Sequence, residues 1–390
     1  MKSKSVFRAL GVAIFAAAVP SAAMAEDPGI TDTSIKIGMF GSLTGPAAAW
    51  GWPTINGAKM IYDAVNAEGG IHGRKIEVVV EDDQCQAPLA LAAAKKLVHR
   101  DGVFMLHGGS CSGATLPVRE MVLSDEVPLM VLVATADEIV QQPNDQIGRA
   151  FLPGSYDGEI IANFLATMPN IKKVAAVGNT DAIANVRYPK LEESLKARGI
   201  EYLGLEPIEV EATDATAQVL KVKSMNPDAV VLVARPAPAS VYLKDAARLG
   251  LTVPTMGATV VDLQDLVDRV GDTKPLENTY VVSFYKSPLT EAPMAPWIDM
   301  LKTYYPDDKV QASAFYGTSG AIAVVEALKR AGPDLTRDSF MAALAEIQNL
   351  DGGPMACTLN FAATDLEGCK TGSVWGMRDG KVTAIGDTWK

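Results

Sequence analysis

The stretch Gly109-Ser-Cys-Ser-Gly113 sets Cys111 in a G-x-C-x-G turn, where a thiolate could stand exposed between a strand and a helix. Covalent catalysis there would need a histidine and an acid within reach of the sulfur. The chain has only His72, His99 and His107, all upstream of Cys111, whereas hydrolases with such an elbow carry theirs downstream. A Cys111 hydrolase is therefore a minor alternative, and no enzymatic activity is expected. Glu81-Asp82-Asp83 could begin a metal site, but no further ligand set accompanies it. Acids at a strand end more often cap the sheet or the next helix. No metal and no cofactor is expected.

The same turn is better suited to gripping a ligand. Ser112 and the amides of Gly113 and Ala114 would stand at a helix N-terminus, where unpaired N–H groups and the helix dipole favour an anion such as a carboxylate. Ala134-Thr135 ends another apolar run at an equivalent place; alone, a strand-end Ser or Thr is more often a cap than a ligand contact. A third such place is Gly41-Ser-Leu-Thr-Gly-Pro46, which follows the first apolar run and leads to Trp50 and Gly51. Trp50 fits a pocket wall as well as it fits the core. All three segments fall at strand C-termini, the edge at which α/β sheets take ligands.

Apolar runs predict strands over 35–40, 76–80, 103–106, 129–133, 174–177, 229–233 and 280–283. Helical periodicity predicts helices over 56–68, 88–100, 114–124, 157–168, 188–198, 215–225, 239–249 and 263–270, with Gly199 and Gly250 as stop signals. That alternation makes an α/β fold with parallel-rich sheets covered by helices on both faces. It runs in two rounds, the second starting near Val174, so two Rossmann-like lobes are expected. Crossings near 151–154 and 283–287 would join them as hinges, and Tyr156, just past the first, is taken into the candidate site. Three further helices, over 297–305, 315–330 and 338–347, precede a tail in which 358–361 and 373–377 read as a hairpin. The expected division is 26–152 plus 284–357 for the first lobe and 153–283 plus 358–390 for the second.

Residues 1–25 read as a cleaved signal peptide: Lys2, Lys4 and Arg8, the apolar run from Ala9 to Val19, and Ala23-Met24-Ala25 before Glu26. The run is short for a membrane anchor, so a periplasmic protein cut after about Ala25 is expected. The whole chain carries a formal −11; without the leader, 32 basic side chains face 46 acidic ones, a formal −14. Such acidity argues against nucleic acid and anionic membrane surfaces as partners. Cys85, Cys111, Cys357 and Cys369 all follow the leader. An even count in an oxidising compartment implies two disulfides out of three pairings, of which the sequence-local one is Cys85–Cys111 with Cys357–Cys369. Each loop closed in this way would contribute ~3 kcal/mol. A zinc site is disfavoured, since no pair has C-x-x-C spacing.

Taken together, Ile35-Lys-Ile-Gly-Met-Phe-Gly-Ser-Leu-Thr-Gly-Pro46, Ala67-Glu-Gly-Gly-Ile-His-Gly-Arg-Lys-Ile76, Val80-Glu-Asp-Asp-Gln-Cys85, Cys111-Ser112 and Ala134-Thr135 resemble the leucine/isoleucine/valine-type periplasmic binding proteins. These proteins feed ABC importers, and the resemblance spans essentially the whole mature chain. It implies two lobes joined by three crossings that close on a ligand, a Cys85–Cys111 disulfide, a membrane permease as partner, and a monomer. The family's carboxylate and ammonium contacts in the first lobe fall on Ser112, Ala134 and Thr135, and its aromatic pocket wall on Trp50. The second lobe departs from the pattern. Its site tyrosine falls on Ile183, its Gly-Tyr region on Ala234-Arg235-Pro236, and the glutamate that pairs with the α-ammonium on Thr259. Asp262 could replace that glutamate only with a shifted loop.

An ammonium enclosed without an anionic partner costs several kcal/mol. The expected ligand is thus a small organic acid without an α-amino group, in its most specific form an aromatic acid stacked on Trp50 and capped by Arg235. The alternative is a branched-chain or other amino acid in the same site. A sensory protein signalling to a membrane receptor is a more distant alternative.

Overall fold

The computed structural model describes residues 27–45 and 47–385, except for the side chains of 182 and 183. The expected signal peptide lies outside the described residues. In chain order the strands are β1 Ser34–Gly41, β2 Lys75–Asp82, β3 Met105–Gly108, β4 Leu129–Val131, β5 Ile147–Arg149, β6 Lys173–Gly178, β7 Glu201–Pro207, β8 Ala229–Val233, β9 Thr255–Gly257, β10 Thr279–Ser283, β11 Leu350–Asp351, β12 Thr358–Leu359, β13 Ser373–Arg378 and β14 Lys381–Ala384. The helices are α1 Ala48–Ala67, α2 Ala87–Lys95, α3 Ser112–Ser124, α4 Tyr156–Thr167, α5 Ala182–Asn185, α6 Tyr188–Ala197, α7 Thr216–Met225, α8 Pro236–Arg248, α9 Leu263–Val270, α10 Ala295–Tyr304, α11 Thr318–Ala331 and α12 Arg337–Ala345. None is long and apolar enough to cross a membrane, among the described residues.

The strands form two large sheets, in the orders β2-β1-β3-β4-β5 and β14-β13-β10-β9-β8-β6-β7. The first is parallel throughout. The second is parallel from β7 to β10 and gains β13 and β14 in antiparallel register. Every residue of β8 is buried, as the apolar run Ala229-Val-Val-Leu-Val requires of a strand covered on both faces. Both lobes therefore place strand C-termini toward one gap, where loops into helices collect.

Three stretches connect the lobes. The chain leaves β5 at Arg149 and enters α4 at Tyr156, leaves β10 at Ser283 and rejoins the first lobe through Lys286 N–H to Pro354 C=O, and returns into β13 at Ser373. Aromatic side chains knit these crossings together. Phe151 and Phe284 lie 4.4 Å apart by ring centroid, Tyr316 lies 5.4 Å from each, and Tyr285 stacks on Tyr316 at 5.7 Å. Trp375 of β13 meets Tyr285 at 6.4 Å.

One expectation about the tail is corrected. Thr358–Leu359 does not pair with Ser373–Arg378; β12 pairs with β11, and β13 lies between β10 and β14. The segment leading to Gly368 hydrogen-bonds to first-lobe backbone, with Arg149 N–H to Leu366 C=O at 3.0 Å and Gly368 N–H to Arg149 C=O at 2.8 Å. It runs beside β5. The cause is spacing: the loop between the two short apolar runs is long enough to reach back to an open sheet edge. Gly199 and Gly250 take the positive φ their stop-signal role requires. Both disulfides, Cys85–Cys111 and Cys357–Cys369, are formed.

Candidate functional site

Helix α1 starts at Ala48, so Trp50 lies in its first turn and not in the preceding loop. Pro53 lies inside the helix and has no amide for the Ala49 carbonyl, which Gln311 Nε2 takes instead at 3.1 Å. The loop before it is pinned by Asp82 at the end of β2. Asp82 accepts from the Leu43 amide at 2.9 Å and from the Thr44 hydroxyl. Its slight burial would raise its pKa, yet the hydrogen bonds from Thr44, Leu43 and Gln84 outweigh that and hold it below the usual carboxylate range. Its neighbours have separate tasks. Glu81 pairs with Lys96, and Asp83 accepts from the Cys85 amide at 2.8 Å. The acidic triplet braces the loop and the disulfide.

Cys111 is covalently held by Cys85, which leaves no thiol for a nucleophile. Next to it, Ser112 is the first residue of α3, and its Oγ accepts from the Thr135 and Ala136 amides at 3.1 Å each. The crest after β4 is clamped from its other side as well. Arg149 Nη1 donates to the carbonyls of Ala134 and Ala136, both at 2.9 Å, and Gly154 N–H reaches Thr135 C=O at 3.3 Å. Ser112, Ala134 and Thr135 thus form one connected crest at the first crossing. Ser112 and Thr135 are half-buried, and Ala134 is buried.

A cleft of about 750 Å³ opens between the lobes. Ala49, Trp50, Gln311, Ala312, Ser313 and Tyr316 form its first-lobe wall. The second-lobe wall comes from Asn179, Asp181, Ala184, Val233 to Pro236, Val260, Asp262 and Asp265. Trp50 and Arg235 therefore face the same space. Arg235 is not a free cation: its Nη2 donates to Asp181 at 2.8 Å, and its backbone amide to Asn179 Oδ1 at 2.8 Å. It also precedes an unusual helix start, since α8 opens Pro236-Ala237-Pro238. Asp262 N-caps α9 through the Asp265 amide at 2.8 Å. Burial, with the charges of Asp265 and Asp268, raises its carboxyl above the ordinary range against the pull of its capped amides.

Ser112, Ala134 and Thr135 stand at the first crossing and do not line this cleft, and neither do Thr259 and Tyr156. Thr259 is turned into the second lobe. Its hydroxyl donates to Asp157 Oδ2 at 2.6 Å and accepts from Arg187 Nη2 at 3.2 Å, while its amide reaches the same oxygen at 3.2 Å. Asp157 and Arg187 are themselves a buried ion pair, Nε to Oδ2 at 2.6 Å. Tyr156 faces a different cavity, about 810 Å³, on the flank bounded by Asp137, Glu159, Lys190 and Glu367. Ile183 falls in α5, and its side chain lies outside the described residues.

Tyr316 and the pair Asn179 and Asp181 were not anticipated. The latter two follow β6, and the strand-end rule applied to the first lobe would have found them. Tyr316 precedes α11 and reaches the cleft only through packing with the crossings, which no local pattern encodes.

A family model for periplasmic binding proteins matches residues 34–368. The chain belongs to that family. It is a type I periplasmic binding protein of the branched-chain amino acid transporter type, a solute-binding protein of the ABC-transporter kind. Among curated relatives, the leucine-, isoleucine-, valine-, threonine- and alanine-binding protein of Pseudomonas aeruginosa is 27% identical over 267 residues, 68% of this chain and 69% of that protein. The Leu/Ile/Val-binding protein of Escherichia coli K12 is 26% identical over 266 residues, 68% and 70% of the two chains. Solved structures share the fold. A putative branched-chain amino acid ABC transporter of Rhodospirillum rubrum superposes with a TM-score of 0.78 at 20% identity, covering 90% of this chain and all of that one. A fatty acid ABC transporter substrate-binding protein of Thermomonospora curvata superposes at 0.71 with 22% identity, covering 93% and 94%. The relatives named here are solute-binding proteins.

Proposed function

We propose that this periplasmic binding protein captures a small carboxylate-bearing ligand between its lobes and delivers it to the permease of an ABC importer. The crest of Ser112, Ala134 and Thr135 holds the carboxylate, Trp50 and Tyr316 take the apolar body, and Arg235, held toward the cleft by Asp181, closes over it. Tyr156, Ile183 and Thr259 complete the proposed set only as flanking residues. The ligand of best fit is an organic acid without an α-ammonium group, aromatic acids included.

Thr259 carries this reading. At the position where the resemblance puts a glutamate, the threonine hydroxyl is already shared between Asp157 and Arg187. A charge-neutral buried pair stands behind it, so that place offers a ligand ammonium no unpaired carboxylate, and the hydroxyl oxygen already accepts from Arg187. An ammonium enclosed there loses hydration and regains little. Closure of the second lobe then removes solvent from the carboxylate contacts and builds the closed surface that a permease reads.

One observation favours a second reading, an amino acid like those bound by the named relatives. Asp262 brings a carboxylate to the cleft close to Tyr316. Calorimetry with leucine, benzoate and 4-hydroxycinnamate separates the two. Binding of an aromatic acid with no heat from leucine supports the first reading; micromolar leucine binding with silence from the acids overturns it. In the second case Asp262→Asn should abolish the leucine signal.

A further inference from the structure

The cavity on the far flank of the crossings contains the most heavily buried ion pair bearing on the ligand crest. Arg149 is fully buried at the end of β5. Its Nη1 holds the Ala134 and Ala136 carbonyls, and its Nε faces Glu367 Oε1 and Oε2 at 3.0 Å each. Nη2 completes the fork to Glu367. Glu367 in turn sits on the segment that runs beside β5, two residues before Cys369 and just before the third crossing.

We propose that Arg149 and Glu367 are positioning residues for the ligand-facing crest, tying it to the third crossing so that the protonation state of Glu367 sets how firmly the crest is held. This rests on the assignment of the crest as the carboxylate-holding part of the site. The arrangement is specific: Ser112 takes the crest amides and Arg149 the crest carbonyls, so the crest has no backbone freedom while both partners stay in place. Movement of the third crossing pulls on Glu367, and through the guanidinium on Ala134 and Ala136.

The surroundings of Glu367 make the link sensitive to pH. Arg149 is its cationic partner. Asp137 lies 4.0 Å from Arg149 Nη2, Asp365 shares the loop of Glu367 and pairs with Lys370, and Tyr156, Glu159 and Lys190 face the same cavity. Burial lifts Glu367 to about 7, Asp137 and Asp365 add to this, and Arg149 opposes it. Opening the crest would release the carboxyl to water and its ordinary value. The closed arrangement then binds the proton more tightly than the open one, so a rise in pH through about 7 favours opening.

Amide hydrogen exchange on the full mature protein without ligand tests the link. Protection at Thr135 and Ala136, corrected for intrinsic exchange, should fall about tenfold from about pH 6 to about pH 8 in the native protein. Glu367→Gln, a neutral isostere, should remove that pH dependence while keeping the protection. Arg149→Lys, which cannot span both carbonyls and the carboxylate, should lower protection at both pH values. Equal pH dependence in native and Glu367→Gln protein, or unchanged protection in Arg149→Lys, overturns the proposal. Calorimetry of leucine and benzoate with Ser112→Ala keeps the two claims apart. If that variant binds both probes as the native protein does while the exchange pattern holds, the site assignment fails and the positioning link stands.

Discussion

Ser112 does two jobs with one oxygen. It accepts the Thr135 and Ala136 amides, and in the proposed site its hydroxyl proton is left for the ligand carboxylate. Ser112→Ala should therefore weaken a carboxylate ligand by ~1–2 kcal/mol, the worth of an ionic hydrogen bond, as measured by calorimetry. An unchanged affinity would remove Ser112 from the site. Thr259 gives the complementary test. Thr259→Glu puts an acid beside Asp157, and if position 259 decides the ligand's polar end, it should cost aromatic-acid affinity by tenfold or more. Thr259→Val should leave that affinity nearly unaltered, because the hydroxyl faces Asp157 and Arg187 and not the cleft.

At the scale of elements, the site depends on how tightly α1 approaches the loop that precedes it. A Cβ on Gly51 would come within 2.3 Å of the Ser42 carbonyl oxygen. Gly51→Ala should force the helix start and Trp50 outward, lowering stability by ~1–3 kcal/mol in denaturant titrations and weakening any ligand that packs on the indole. Long periodic elements were legible from the residue pattern. Leu263–Val270 was read to the residue, and the two-round alternation carried the lobes and their crossings. β5, β7 and β9 were not: β5 and β9 have three residues each, and β7 mixes Glu201, Gly204 and Glu206 into its run. Such strands are held by neighbours in the sheet, not by their own apolar pattern. The site followed the same division. Strand-end loops marked Arg235, which lines the cleft, and the contact of Ser112 with Thr135, while the inward turn of Thr259 and the reach of Tyr316 depend on side chains distant in sequence.

For the whole molecule, the two disulfides and Glu367 set the response to conditions. Reduction should lower the melting temperature reversibly, each bridge contributing ~2–4 kcal/mol. Cys85–Cys111 joins the end of β2 to the start of α3, so its loss should also weaken ligand binding; Cys357–Cys369 should act mainly on stability. Glu367 has its folded value raised to about 7 from an ordinary 4.5. Its contribution to stability is complete below the ordinary value and is lost as pH rises through the folded one. The melting temperature of Glu367→Gln relative to the native protein should therefore increase from about pH 5 to about pH 8, and a difference that is flat or falls over that range would refute the assignment.

The opening of α8 bears on which solutes the cleft can refuse. A helix start usually offers a cluster of N–H donors that suits phosphate. In Pro236-Ala237-Pro238 two of the first three residues have no such donor, and the Ala239 amide is spent on the Arg235 carbonyl. Asp181, Asp262 and Asp265 stand around the same wall. A doubly charged phosphate ester would meet carboxylates there and almost no backbone donors, so poor binding of phosphorylated solutes is the expected outcome. Inorganic phosphate should compete with a bound carboxylate no better than an equal ionic strength of chloride.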